Sequence, residues 1–359
     1  MAVVTIIGAG VMGSALAFPA RENGHEVRLV GTHLDRSIIE IAERTGCHPN
    51  FEVYFPAGIR FYQIERVQEA IAGADVLIGA INSNGVDWFG DMILPLVPSS
   101  VAVLTVTEGL MDTSNGKLLT YPDIWNQKMD AIGKRLLINA MGGPCISYEL
   151  VAHDQTEVTF CGPDMETLKK LRAIMTTDYF HISLSTDVVG VLSASALKNG
   201  YALGIALTIG LNQQKHGIDS VQHFNSQSAI FGQCVKEMYQ LLIYQGAASV
   251  ENLAVGLGDL FSAVYGGRTR RVGILLGRGL DVDEAKSQLD GVTLESLVVA
   301  VRVARAIRNR AAVGSVDLKD FPLMVHIGEI LTDKAAVNIP WESFVYQEDT
   351  KEQKKFYIN

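Results

Sequence analysis

The 359-residue chain is 48% hydrophobic and 19% charged and carries a formal net charge of −9. This composition excludes a disordered chain, and the negative balance argues against a general nucleic-acid or anionic-membrane binder, which leaves a small molecule as the expected partner. A chain of this length exceeds what one core usually supports, so two domains are expected.

The N-terminus, MAVVTIIGAG, is apolar from its second residue but lacks a basic leader region and runs straight into glycines. It reads as a first strand and not as a signal peptide. Gly8-Ala9-Gly10-Val11-Met12-Gly13 follows that strand and opens a helix, SALAFPARENG. In this setting the three glycines serve a tight turn, close approach of the backbone to a pyrophosphate, and close packing of helix on strand. The helix N-terminus adds free N–H groups and a positive dipole end. Gly8, Gly10, Val11, Met12 and Gly13 are therefore expected to hold a dinucleotide. The second strand, EVRLV, ends in Gly31-Thr32-His33, with Asp35 and Arg36 only beyond it. No acid is expected where it would repel a 2′-phosphate, and Thr32, His33 or Arg36 would contact one, so NADP is expected at least as readily as NAD.

Apolar runs continue with ADVLIGA, VAVLTV, RLLIN, TEVTF and HISLS, most of them separated by helical or turn-rich segments. This is the βαβ signature of an N-terminal, Rossmann-type, doubly wound and mostly parallel sheet. After Ser185 the strand pattern stops. From Val188 to about Arg310 the chain is Ala/Leu/Ile/Val-rich at helical spacing, with breaks expected at Gly210, Gly217, Gly246, Gly266 and Gly291. The expected division is a dinucleotide-binding domain over 1–185 and an all-helical substrate and catalytic domain over 186–359. Arg302, Arg305, Arg308 and Arg310 recur at near-helical spacing and read as one solvated helix face. The charged end, QEDTKEQKKFYIN, reads as exposed.

Cys47, Cys145, Cys161 and Cys234 lie far apart, with no CxxC pair and no histidines at zinc-ligand spacing. They read as thiols in a reducing compartment, and no metal site is expected. No segment holds the roughly 18 consecutive apolar residues of a membrane span. The expectation is a soluble cytoplasmic protein with no membrane partner, whose apolar helices are compatible with a homodimer.

Within the helical half, GVLSASALKNGYALG places one lysine, Lys198, in an almost uncharged stretch. Such a lysine either snorkels to water or is held where its pKa is tuned for proton transfer. Downstream, GLGDLFSAVYGGRTRRVGILLGRG separates Asp259 from Arg268 by a glycine-flanked turn.

With the N-terminal GAGVMGSALA, with GPCISYELV and with STDVVGVLSASALKN, these stretches resemble, in order and over nearly the whole chain, the NAD(P)-dependent glycerol-3-phosphate dehydrogenases. The GTHLD turn and the TEGLMD segment look most like the family's archaeal-type branch. The resemblance implies an oxidoreductase that moves a hydride between nicotinamide and a secondary alcohol or ketone, glycerol 3-phosphate or a related polyol phosphate. Lys198 would be the acid/base, held by Asp259. Apolar surroundings would lower its pKa and the carboxylate would oppose that shift. Arg268 would grip the substrate's anionic end and touch the cofactor, beside Thr269 and Asn199, while Ser147 and Glu295 would contact the cofactor.

The chain departs from the family around one pocket. A Ser-x-Lys-Gly segment is Thr105-Val106-Thr107-Glu108-Gly109 here, so a cation has become an anion. Thr269 replaces an asparagine, Ala263 a threonine and Leu192 a glutamate. If Glu108 enters the pocket it would repel a phosphate dianion by about 1 to 4 kcal/mol, depending on local dielectric; otherwise it turns to solvent. Three readings follow: a polyol phosphate dehydrogenase, a dehydrogenase of another hydroxy compound (a sugar acid, a longer polyol or an amine-bearing substrate), and a non-catalytic NAD(P)-binding sensor.

Overall fold

The computed structural model describes residues 1–51, 53–289 and 295–344. Eight strands form the main sheet: β1 (Val3–Ile7), β2 (Glu26–Val30), β3 (Arg60–Tyr62), β4 (Val76–Gly79), β5 (Ala102–Thr105), β6 (Leu137–Gly142), β7 (Thr156–Cys161) and β8 (Phe180–Ser185). Their spatial order is β8-β7-β6-β5-β4-β1-β2-β3. Every neighbouring pair is parallel except β6 with β7. Because helices cover both faces, the central strands are buried on both sides and read as continuous apolar runs: Val4, Ile6 and Ile7 are fully buried, as are Leu77 and Ile78.

The order reverses between β1 and β4. There the chain has wound outward through β2 and β3 and returned to the other side of β1, leaving a crevice beyond the carboxyl ends of the strands. Helix α1 (Val11–Glu22) leaves β1 at that crevice. The fold is thus a doubly wound, mostly parallel sheet followed by helices.

The helical half is built around α2 (Val188–His216), whose N-terminus is capped by Asp187. The same carboxylate takes Ser249 N–H at 3.0 Å and Asn252 Nδ2 at 2.8 Å, tying the start of α2 to a neighbouring turn. Around it stand α3 (Phe224–Gln245), α4 (Leu253–Gly266), α5 (Arg268–Gly277), α6 (Glu295–Ala312) and α7 (Pro322–Asp333). Helix α2 is long and apolar enough to cross a membrane by length and composition, but 78% of that window is buried inside the protein, as suits a core helix.

Two expectations are corrected here. Gly210 does not break the helix; it lies inside α2, where an added Cβ would sit 2.2 Å from the carbonyl oxygen of Ile274, so it is the point at which α5 presses on α2. Gly217, Gly246 and Gly266 do lie at helix ends, and Gly291 lies outside the described residues.

Nor is the arginine row a free solvated face. Arg302 donates to the carbonyl of Leu110 at 3.0 Å, Arg305 pairs with Asp112 at 2.6 Å, and Arg310 donates to the carbonyls of Gly116 and Tyr244. These contacts clamp a hairpin, Leu110–Asp112 with Leu118–Thr120, against α6. The C-terminal QEDTKEQKKFYIN lies outside the described residues.

Candidate active site

The crevice is a cleft of about 470 Å³, and its two ends have different chemistry. At the first end the glycine loop turns from β1 into α1. Gly8 has φ +108°, and a Cβ there would lie 2.2 Å from the carbonyl oxygen of Ala80, so only glycine fits. A Cβ on Gly13 would meet the Gly8 oxygen at 2.0 Å, which is how the helix seats directly on the loop. Gly10 differs: nothing lies within 4 Å of its added Cβ. Gly10 also lines the cleft and precedes the uncapped first turn of α1, a cradle that a pyrophosphate fits. The peptide of Ala9 is fixed from both sides, its N–H donating to Asp35 Oδ2 at 3.1 Å and its carbonyl accepting from Ser14 Oγ at 3.0 Å.

Asp35 corrects the expectation for the end of β2. The turn after β2 closes with Asp35 N–H on the Thr32 carbonyl. This brings the Asp35 carboxylate back onto Thr32, whose N–H and hydroxyl donate to it at 2.9 and 2.8 Å. An acid therefore does line the cleft beside Thr32 and His33. Arg36 points elsewhere, paired with Glu65 at the surface.

At the other end three elements converge. Strand β5 delivers Glu108 through a short loop, and Gly109, at φ +140° against the Tyr121 ring, turns the chain away into the clamped hairpin. Helix α2 presents Ser195 and Lys198 one turn apart on the same face. Helix α4 supplies Asp259, brought near because a Cβ on Gly256 would stand only 2.5 Å from the Ala194 carbonyl oxygen. Lys198 Nζ donates to Asp259 Oδ1 at 2.6 Å and to Glu108 Oε1 at 2.8 Å. Ser195 Oγ donates to the other Asp259 oxygen at 2.5 Å.

The electrostatics follow from burial and pairing. The Lys198 side chain is 14% exposed and that of Asp259 is 1% exposed, whereas Glu108 keeps 32%. Burial pulls the Lys198 ammonium down, but the two carboxylates outweigh it and hold the lysine well above its ordinary value. This settles in favour of the charges the competition expected from sequence. Burial pushes Asp259 up to about 6 against the pull of Lys198. Cys145, also at the cleft, is pushed up to about 12 by burial and stays a neutral thiol.

Gly8, Gly10, Val11, Met12, Thr32, Glu108, Lys198 and Arg268 all line the cleft, and Asp259 lies directly behind Lys198. Glu108 faces Lys198 and does not turn away to solvent. Four expected residues are not brought to the cleft wall: Gly13, packed on the Gly8 carbonyl beneath the loop; Asn199, one position and about 100° around α2 from Lys198; Thr269, buried on α5; and Ser147, buried at the start of the helix Ser147–Val151. Glu295 opens α6, and its side chain lies outside the described residues. Sequence reasoning missed Ser195, although its i, i+3 spacing to Lys198 on a helix carries the signal. It also missed Asn82 and Trp88 on the cleft wall, which nothing in the local sequence marks.

A glycine-loop cradle at a topological switch point, ending at a buried lysine between carboxylates, defines a dinucleotide-dependent oxidoreductase. Sequence models of the NAD-dependent glycerol-3-phosphate dehydrogenase N-terminus and C-terminus match residues 3–168 and 187–341. The chain belongs to the NAD-dependent glycerol-3-phosphate dehydrogenase family. It is 32% identical over 289 residues to the NADP(+)-dependent glycerol-3-phosphate dehydrogenase of Archaeoglobus fulgidus, covering 80% of this chain and 84% of that one. It is 27% identical over 295 residues to a glycerol-3-phosphate dehydrogenase [NAD(P)+] of Desulfotalea psychrophila, covering 80% and 82%. In fold it is similar to the glycerol-3-phosphate dehydrogenases of Plasmodium falciparum (TM-score 0.82, 18% identity, 97% and 96% covered) and Coxiella burnetii (TM-score 0.78, 21% identity, 95% and 97% covered). The protein is accordingly an NAD(P)-dependent oxidoreductase acting on a CH–OH group.

Proposed function

We propose that the protein interconverts glycerol 3-phosphate and dihydroxyacetone phosphate, with residues 1–185 binding the dinucleotide and the remainder supplying the substrate side. The observation that carries this reading is Lys198 Nζ, held 2.6 Å from Asp259 at the far end of the cleft that begins at the glycine loop. Gly8, Gly10 and the first turn of α1 would hold the pyrophosphate, with Thr32 toward the adenosine end. When bound, the nicotinamide supplies or accepts the hydride.

The chain's own residues then manage the proton. In the direction of reduction, Lys198 donates from Nζ to the ketone oxygen as that oxygen gains charge; in oxidation it takes the hydroxyl proton. Asp259 aims the ammonium and is itself locked by Ser195. Arg268 forms no ion pair or side-chain hydrogen bond with any described residue, which leaves its fork for the phosphate. Asn199 and Thr269 would act through the backbone positions of Lys198 and Arg268. Lys198, Asp259 and Arg268 standing together weigh against a non-catalytic sensor.

Four unpaired thiols fit the cytoplasm, and exposed Phe261 and Tyr265, with ring centroids 4.8 Å apart on α4, offer apolar surface compatible with a homodimer. The test of function is absorbance at 340 nm with NADPH or NADH and a ketone panel. Oxidation of the cofactor with dihydroxyacetone phosphate is expected, and turnover of only a sugar acid or an amino ketone would replace the reading.

A further inference from the structure

Glu108 lines the cleft beside the atom of Lys198 that would meet the substrate. Its Oε1 is 2.8 Å from Lys198 Nζ, and Ser195 Oγ approaches the same oxygen at 3.4 Å. Its Oε2 takes no hydrogen bond from any described residue. A carboxylate only accepts hydrogen bonds, so its natural partner on a substrate is a donor. Two donors are available chemically, an ammonium and a hydroxyl. Glu108 and Asp259 balance the charges of Lys198 and Arg268 at this end of the cleft, and the polyol phosphate proposed above carries hydroxyls and no ammonium, so the donor is a hydroxyl. A phosphate is repelled by Glu108, which leaves it to Arg268.

Geometry narrows the hydroxyl further. A ketone oxygen hydrogen-bonded to Lys198 Nζ has its adjacent-carbon hydroxyl about 3 Å away, within one hydrogen-bond length of a carboxylate oxygen that shares the same ammonium. We infer that Glu108 is a specificity-determining residue that accepts a hydrogen bond from the hydroxyl on the carbon next to the reacting carbonyl, so that the site selects α-hydroxy ketones and reads the two arms of its substrate separately. Glu108 takes the hydroxymethyl arm and Arg268 the phosphate arm. This rests on the reading of the site as a polyol phosphate dehydrogenase.

The experiment compares kcat/KM for dihydroxyacetone phosphate with that for its deoxy analogue, hydroxyacetone phosphate, in which the hydroxymethyl arm is a methyl group. A charge-assisted hydrogen bond predicts that the wild type favours the hydroxylated ketone by about 10- to 100-fold. Glu108→Ala should bring the ratio close to unity and Glu108→Gln to an intermediate value, with fluorescence titration showing that both variants still bind the reduced cofactor. The same ratio in wild type and Glu108→Ala overturns the role of Glu108 and leaves the dehydrogenase reading standing. Turnover of neither ketone by wild-type protein that binds cofactor overturns both.

Discussion

Glu108 Oε1 and Asp259 Oδ1 grip the same atom, Lys198 Nζ, at 2.8 and 2.6 Å, so the one lysine of the cleft is held between two carboxylates from different halves of the chain. Where the family motif carries a second cation, this chain has an anion that strengthens the hold on the proton.

The first consequence is a pH profile. Burial alone would lower the lysine, but Asp259 and Glu108 raise it above its ordinary value, so Lys198 is an ammonium across neutral pH. Reduction, which needs the ammonium, should have a kcat/KM insensitive to this group between about pH 6 and 9. Oxidation, which needs the free amine, should rise with pH throughout that range. Removing the charge in Glu108→Gln lowers the lysine, so the rise in oxidation should move to lower pH. An oxidation profile that does not move in this variant would contradict the assignment.

Helix packing sets the Lys198–Asp259 distance. Gly256 lets α4 approach α2 until a Cβ would be 2.5 Å from the Ala194 carbonyl. Gly256→Ala must push the helices apart. It should cost about 1–3 kcal/mol of stability and lower kcat by about tenfold or more through displacement of Asp259, with cofactor affinity unchanged. Chemical denaturation and steady-state kinetics on the same preparation check both halves.

Glu237 is fully buried in the helical core. It accepts from Gln233, Tyr201 and the N–H groups of Leu323 and Met324, and so caps the start of α7. Burial pushes its carboxyl up to about 7 against these bonds. A folded value above the unfolded one means that the folded state binds the extra proton. This group's contribution is therefore most favourable below about pH 4.5, is lost as pH rises through about 7, and is constant above, a span on the order of 3 kcal/mol. Glu237→Gln should remove that slope. It should also destabilise by about 1–3 kcal/mol at low pH, since the amide cannot accept at both ends. Melting curves of both proteins at about pH 5 and 8 measure the difference.

Much of this architecture is legible in the chain itself, for physical reasons. Central strands buried on both faces, such as β1, β4 and β5, leave nearly continuous apolar runs, and β2 and β8 show by alternation of apolar and polar residues, while the three-residue edge strand Arg60–Tyr62 is too short to leave a pattern. The glycine loop is legible because each glycine answers a steric demand. Gly210 misleads because a glycine needed for close helix approach looks the same as one that ends a helix. The arginines of α6 mislead because a charged face covered by a hairpin has the same periodicity as one covered by water. Lys198, Asp259, Glu108 and Arg268 are found by motif, but that Glu108 turns inward, and that Asp35 folds back onto the cleft, depends on loop conformation that no spacing encodes.

In the proposed reaction Lys198 carries the proton for hydride transfer on dihydroxyacetone phosphate. The most direct measurement of this role is the single-turnover rate of cofactor oxidation by wild type and Lys198→Met, each saturated with the reduced cofactor and this ketone. A fall of about 10²- to 10⁴-fold with cofactor binding intact is expected; a Lys198→Met rate within a few-fold of wild type would remove Lys198 from the proton transfer.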